Sequence, residues 1–239
     1  MSHFTGGPRA SHAQACAIVP VKALADAKSR LASVLSPAAR RRLVLAMLAD
    51  VLDALAATTA VTRKIVVTCD AEVATAARGK GAAILHESQP ISLNGALRTA
   101  LHTCASNPDT ICLILPADVP LVTPNEIAAL LMDEPASAQR PQHRVVIAPS
   151  LDGGGTNALV LMDHDMMGPS FGTNSFNRHL ELAEALHLNP RVVRLPGLGF
   201  DIDTPEDLRR LSQVERYRWL EEERPVGSPP VRPRAHLTA

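Results

Sequence analysis

Lys22, Lys28 and Arg30 fall within the stretch VPVKALADAKSRLA (19–32), directly after an apolar run that reads as a strand. The stretch has neither a GxxxxGK motif nor a GxGxxG fingerprint, so any phosphate held there must be held by side chains. Three cations in one loop can do that, although the same residues also read as an ordinary solvated loop. Asp118 stands between two prolines in LPADVP (115–120), at the end of a second apolar run. A carboxylate there can hold a divalent cation beside phosphates or simply cap a turn. In DIDTPEDL (201–208), Thr204, Pro205 and Asp207 are accounted for as a helix start. Asp201 and Asp203 are left over, and on an extended segment they project to one face. Either could join Asp118 around a hard cation.

Two further segments suit anions. DGGGTNAL (152–159) exposes backbone amides, and FGTNSFNRHL (171–180) opens a helix at Ser175. A hairpin turn and a plain helix cap are the alternative readings. Arg178 and His179 lie in the first turns of that helix. Asp163-His164-Asp165 resembles a metal cluster, but adjacent residues on a strand end point apart, so it reads as a polar loop.

The elements that must position these residues follow a strand-helix rhythm. Strands are expected at 15–20, 63–69, 82–86 and 110–115, with helices at 70–78, 92–104 and 124–132. Ser36-Pro37 begins a long helix whose apolar stripe runs from Leu43 to Leu55, and Gly79 closes the helix at 70–78. The rhythm then changes. Strands at 143–150 and 156–162, joined by the glycine-rich 151–155, look like an antiparallel excursion. A helix at 175–186, a strand at 191–196 and a helix at 204–211 complete the pattern. The reading is a single α/β domain at 15–212 with a mostly parallel, doubly wound sheet. Residues 1–14 are a loose leader and 213–239 a proline-rich tail without fixed structure.

The core must be aliphatic, because 46% of the 239 residues are hydrophobic and only 3% aromatic. That suits helices covering a parallel sheet. With 24 basic and 24 acidic residues, no charge excess favours nucleic acid or an anionic membrane. The chain shows no signal peptide and no apolar run long enough for a membrane span. Cys16, Cys69, Cys104 and Cys112 lack CxxC spacing and read as reduced thiols of a cytoplasmic protein, with no zinc site.

Taken in order, VPVK, AKSRL, LSPAARRRLVLAMLADVL, LPADVPL, DGGGTNAL, FGTNSFNRH and DIDTPEDL resemble the 2-phospholactate guanylyltransferase family, over about residues 15–212. DTPEDL alone is weak, whereas VPVK and AKSRL joined to GGGTNAL and FG..SF..H are specific. The resemblance implies a single-domain nucleotidyltransferase fold, similar to molybdenum-cofactor guanylyltransferases and sugar-nucleotide synthetases. It implies transfer of GMP from GTP onto the phosphate of 2-phospholactate, phosphoenolpyruvate or 3-phosphoglycerate, with release of pyrophosphate, early in coenzyme F-420 biosynthesis. It further implies magnesium on Asp118 and on Asp201 or Asp203, and a GTP loop holding Lys22, Lys28 and Arg30. Thr156, Gly172 and Ser175 match acceptor-binding positions, and Asn94 in LNGAL matches a segment near the guanosine. Product hand-over to the next pathway enzyme and a homodimer are compatible with it. The leader, the tail and the long 133–143 connection depart from the pattern without touching a motif. Two alternatives stand beside this reading. One is a nucleotidyltransferase of this fold for another phosphorylated acceptor, although the Gly-Gly-x-Ser-x-Arg loop of the molybdopterin enzymes is missing. The other is a non-catalytic nucleotide sensor, which would not need three carboxylates and three loop cations.

Overall fold

The computed structural model describes residues 14–86, 92–104, 110–132, 145–162 and 167–223. The leader, the Asp163-His164-Asp165 loop and residues 224–239 of the expected tail lie outside the described residues. Strands β1 (Ala15–Pro20), β2 (Val61–Thr68), β3 (Ala83–His86) and β4 (Ile111–Ile114) alternate with helices α1 (Pro37–Ala56), α2 (Ala71–Gly79) and α3 (Leu93–Cys104). Then come α4 (Pro124–Leu131), β5 (Val145–Pro149), β6 (Thr156–Leu161) and α5 (Ser175–Ala185). The two-residue strand β7 (Arg191–Val192), the single turn α6 (Pro196–Gly199) and α7 (Pro205–Leu211) finish the regular part.

The strands form one sheet in the order β3-β2-β1-β4-β6-β5-β7. β6 runs against both β4 and β5, and every other pairing is parallel. The expected antiparallel excursion is therefore one reversed strand. Strand faces alternate as the pleat requires: Ala15, Ala17 and Val19 join the apolar layer under α1, α2 and α4, while Cys16 and Ile18 pack under α3 and α5. Both faces of the central strands are covered, as in a doubly wound sheet.

Local chemistry sets the helix starts. The Ser36 hydroxyl accepts from the Ala39 N–H (3.1 Å) with Pro37 at the first helical position. Thr123 with Glu126, and Thr204 with Asp207, form reciprocal capping boxes. Gly79 stays inside α2, and the residue with left-handed backbone is Gly81 (φ 73°). The strand expected at 191–196 is shorter: β7 pairs through Arg191 and Val192, the Val193 N–H still donates to the Ile147 carbonyl (3.0 Å), and Pro196 already opens α6.

Three further features depart from the expectations. A 3₁₀ turn occupies Ser29–Leu31 inside the cation loop. The folded part continues past 212 into a 3₁₀ helix at Glu215–Glu221 with Tyr217 and Leu220 buried. The Tyr217 hydroxyl donates to Asp50 Oδ2 (2.6 Å) and Arg216 Nη2 donates to the Pro120 carbonyl (2.8 Å), which fastens this segment to α1 and to LPADVP. Third, Cys16 and Cys104 are joined in a disulfide, which corrects the reading of four reduced thiols. Their separation of 88 residues gives no spacing signal; the packing of α3 on β1 brings their Cα atoms to 5.9 Å. Cys69 and Cys112 are free. No helix among the described residues is long and apolar enough to cross a membrane.

One close approach positions the DID segment. Buried Glu126 accepts from the Thr123 N–H through Oε2 (2.9 Å) and from the Gly197 N–H through Oε1 (2.8 Å), so α4 holds the turn before Asp201. A Cβ at Gly197 would lie 2.5 Å from Glu126 Oε2 and nearer still to the Leu121 carbonyl. Gly197→Ala is expected to cost about 2 kcal/mol or more through overpacking, read as a lowered urea midpoint with an unchanged m-value.

Candidate active site

The sheet order brings the charged motifs together. β1 and β4 are parallel neighbours, so the segments leaving their carboxyl ends, the cation loop and LPADVP, start side by side. β1 is flanked by β2 and β4, where the connections reverse direction, the usual place for a ligand crevice. Because β6 runs the other way, its first residues, Thr156 and Asn157, arrive at the same edge. The Asp118 carbonyl accepts from the Ile202 N–H (3.1 Å), which lays the DID segment alongside. Ile202 is buried, and Asp201 and Asp203 flank it.

Lys28 is the hub. Its Nζ donates to Asp118 Oδ2 (2.7 Å) and to Asp203 Oδ1 (2.9 Å), with its side chain only 11% exposed. Arg30 Nη1 donates to Asp203 Oδ2 (3.1 Å). Lys28 has left-handed backbone (φ 52°, ψ 40°), a strained geometry that these bonds help to fix. Burial opposes the Lys28 charge, but Asp118 and Asp203 outweigh it and hold the ammonium above the ordinary lysine range. Burial likewise opposes the Asp203 charge, yet Lys28 first, then Arg30 and Lys22, pull that carboxyl below its usual range. Lys22 itself is exposed. Asp201 behaves oppositely: burial, with smaller pushes from Asp118 and Asp203, raises it despite a hydrogen bond from Asn157. The two leftover aspartates thus divide, with Asp203 paired to the cations and Asp201 facing like charge.

A second group lies where β6 begins beside the start of α5. The Ser175 hydroxyl accepts from the Thr156 N–H (2.9 Å). Thr156 Oγ1 and His179 Nδ1 are 2.9 Å apart. Ser175 is the first helical residue rather than the cap; the cap position is Asn174, in left-handed backbone (φ 55°). The Ser175 N–H bonds to the Gly172 carbonyl (3.1 Å), so that amide is committed within the turn and does not face an anion. Gly172 has φ 123°, which favours glycine. Asn94 spends both ends of its amide on Phe171, donating to its carbonyl (3.0 Å) and accepting from its N–H (2.7 Å). These bonds hold the loop before Gly172.

Sequence reasoning left three positioning residues without a role. Asn157 Nδ2 lies 3.0 Å from Asp201 Oδ1 and 3.1 Å from the Leu198 and Gly199 carbonyls, joining the start of β6 to the carboxylates. It sits inside GGGTNAL, where only tertiary contacts show its use. Asp70 caps α2 and accepts from the Leu24 N–H (2.9 Å), anchoring the cation loop. Partial burial opposes its charge, but the Leu24, Val73 and Glu72 amides hold its carboxyl below the ordinary range. His179, the histidine of FG..SF..H that was given no role, is fully buried.

Among the described residues no three His, Cys, Asp or Glu side chains are gathered as a ready metal cage. The donor chemistry nevertheless suits a hard cation. Asp118 and Asp201 are carboxylates at the carboxyl edge of the sheet beside the cation loop, and magnesium is commonly bound by one or two carboxylates plus substrate phosphates. Asp201, unlike Asp203, has no cationic partner among the described residues.

A family model described as "Guanylyl transferase CofC like" matches residues 15–213. A phosphoenolpyruvate guanylyltransferase of Sphaerobacter thermophilus is 42% identical over 197 residues, covering 82% of this chain and 91% of that protein. A 2-phospho-L-lactate guanylyltransferase of Methanothermobacter thermautotrophicus is 40% identical, covering 81% and 82%. A 3-phospho-D-glycerate guanylyltransferase of Phenylobacterium zucineum is 37% identical, covering 80% and 86%. Among solved structures, a putative nucleotide-diphospho-sugar transferase from Desulfovibrio desulfuricans superimposes with a TM-score of 0.67 at 16% identity, over 87% of this chain and 94% of that one. That last likeness concerns the fold alone.

Proposed function

The chain belongs to the CofC-like guanylyl transferase family, and from that premise we propose that it transfers GMP from GTP to the phosphate of a small phosphorylated acid. The acid is phosphoenolpyruvate, 2-phospholactate or 3-phosphoglycerate, the acceptors for which its relatives are named. An oxygen of the acceptor phosphate attacks the α-phosphorus of GTP. A phosphoanhydride bond forms, and the bond from the α-phosphorus to its bridging oxygen breaks. Pyrophosphate leaves with the electron pair. The attacking phosphate is already an anion at neutral pH, so no general base is needed. The barrier is electrostatic, because two anions must meet.

The observation that carries this reading is the meeting of Lys28 with Asp118 and Asp203 at the carboxyl edge of β1 and β4. Lys28, with the more exposed Lys22 and Arg30, stabilises the departing pyrophosphate. Asp118 and Asp201 would hold a magnesium ion, which when bound neutralises charge on the reacting phosphates. Asp203 keeps Lys28 and Arg30 in place. Thr156, Ser175 and the Gly172 turn orient the acid end of the acceptor, while Asn94 holds that turn.

The product is placed early in coenzyme F-420 biosynthesis and passes to the next enzyme there, with the protein acting in the cytoplasm and able to pair as a homodimer. The pathway place, the hand-over and the pairing rest on the family resemblance, and the compartment on the cysteine reading. Reducing compartments disfavour disulfides, but Cys16 and Cys104 are both buried, which shields the bond from soluble reductants. The test is mass spectrometry of products formed from GTP and magnesium with the three acids in competition. One guanylylated acid with matching pyrophosphate is expected. Tight GTP binding without pyrophosphate from any acid would instead make the protein a nucleotide sensor.

A further inference from the structure

His179 is fully buried, yet both ring nitrogens are engaged. The Ser170 backbone N–H donates to Nε2 (2.8 Å). A backbone N–H can only donate, so Nε2 must offer its lone pair. In a neutral imidazole the proton is then on Nδ1, the nitrogen 2.9 Å from Thr156 Oγ1. The ring is neutral: burial first, and the neighbouring Arg178 charge second, push it down to about 4. Nδ1–H therefore donates to the threonine oxygen. The reverse tautomer would set an Nε2–H against the Ser170 N–H, donor against donor.

The consequence falls on Thr156. Its hydroxyl oxygen is already accepting from His179, so its own proton must turn elsewhere. Ser175 and His179, one helical turn apart on α5, grip the backbone N–H and the side-chain oxygen of the same threonine. The edge of Phe171 against the imidazole, with ring centroids 5.0 Å apart at 71°, steadies the ring. Thr156 is thereby held as a donor, which suits an anionic ligand and not a cationic one.

We propose that His179 is a positioning residue that fixes the Thr156 hydroxyl as a hydrogen-bond donor to the acid acceptor. This rests on the reading of Thr156 as an acceptor contact. His179→Asn keeps an amide nitrogen near the Nδ1 position and can still donate to Thr156. His179→Gln reaches toward Ser170 and loses the Thr156 contact. The assay uses whichever of the three acids is guanylylated. Thr156→Val is expected to raise the KM for that acid about tenfold, the scale of one lost hydrogen bond to a charged group. His179→Gln should raise it similarly, and His179→Asn much less, with the KM for GTP unchanged in all three. Adding His179→Gln to Thr156→Val should change nothing further.

The outcomes separate the two ideas. If Thr156→Val leaves the acid KM unchanged, both the acceptor reading and the inference fail. If Thr156→Val acts but His179→Gln matches wild type, or Asn and Gln variants behave alike, only the inference fails. A measurement on the unmodified protein removes dependence on variant folding. Long-range ¹H–¹⁵N correlation of histidine-labelled protein is expected to show His179 protonated at Nδ1; protonation at Nε2 overturns the proposal.

Discussion

Asp118→Asn is expected to abolish guanylyl transfer, roughly a thousandfold or more in kcat, while leaving the fold intact. The two halves of this expectation have separate causes. Structurally, the Asp118 side chain contacts Lys28, whose ammonium keeps Asp203 as a partner when Asp118 becomes neutral. The asparagine oxygen can still accept from Lys28, and the main-chain bond from Ile202 to the Asp118 carbonyl is untouched. Unfolding stability should therefore change by less than about 1 kcal/mol, since the Asp118 side chain is about a third exposed. Chemically, the loss is large because a neutral amide is a poor ligand for the cation that two converging phosphates require. Pyrophosphate release in the presence of magnesium reads the first half, and a thermal melt reads the second. Turnover near the wild-type rate with magnesium would remove Asp118 from the proposed metal site.

The features legible in the chain were those fixed by neighbours in sequence. Ser36-Pro37, Thr123 through Glu126 and Thr204 through Asp207 start helices because each cap is completed within three residues. The same locality left Asp201 and Asp203 unexplained by the cap, and so marked them as chemistry. What stayed hidden depends on partners far along the chain. Asn157 reaches Asp201 across 44 residues, and Asp70 reaches Leu24 across 46. Asn94 reaches the Phe171 backbone across 77 residues, a positioning role that the LNGAL segment does not announce. Ser175 opens its helix as the sequence indicated, and the plain-cap alternative falls because the cap position is Asn174 in left-handed backbone. The 3₁₀ helix at Glu215–Glu221 hid next to a proline-rich segment, and only Asp50 and Pro120 reveal why it is ordered.

The choice between Asp201 and Asp203 also needed tertiary electrostatics. Pattern alone put both on one face. Lys28 and Arg30 take Asp203, and their attraction overcomes the burial that opposes its charge. Asp201 receives a neutral amide from Asn157 and like charge from its neighbours. A buried carboxyl in that setting gains more from an added cation than one already paired.

Lys28→Met carries the second large effect, because it removes a cation bonded to both Asp118 and Asp203. The methionine fills a similar volume, so the change is electrostatic and not a cavity. Guanylyl transfer should fall at least about a hundredfold. At neutral pH the loss of stability should be roughly 1–3 kcal/mol, below the figure for a fully buried pair because both carboxylates are partly exposed. The pH dependence has a fixed sign. In the variant, Asp203 loses the largest of the attractions that hold its carboxyl low and keeps Arg30, so its folded-state pKa moves up toward the unfolded value. The smaller that difference, the less this group makes stability depend on pH. In the native protein Lys28 holds Asp203 below its ordinary range, so its stabilisation is present above that range and is lost as pH falls through the folded pKa. The stability gap between the two proteins should be full above about pH 5 and should narrow as pH falls below about 4. Millimolar magnesium should also raise the melting temperature of the variant more than that of the native protein, since a divalent cation replaces the missing charge. A gap that is constant with pH, together with no extra response to magnesium, would mean that Lys28 is not what holds these carboxylates together.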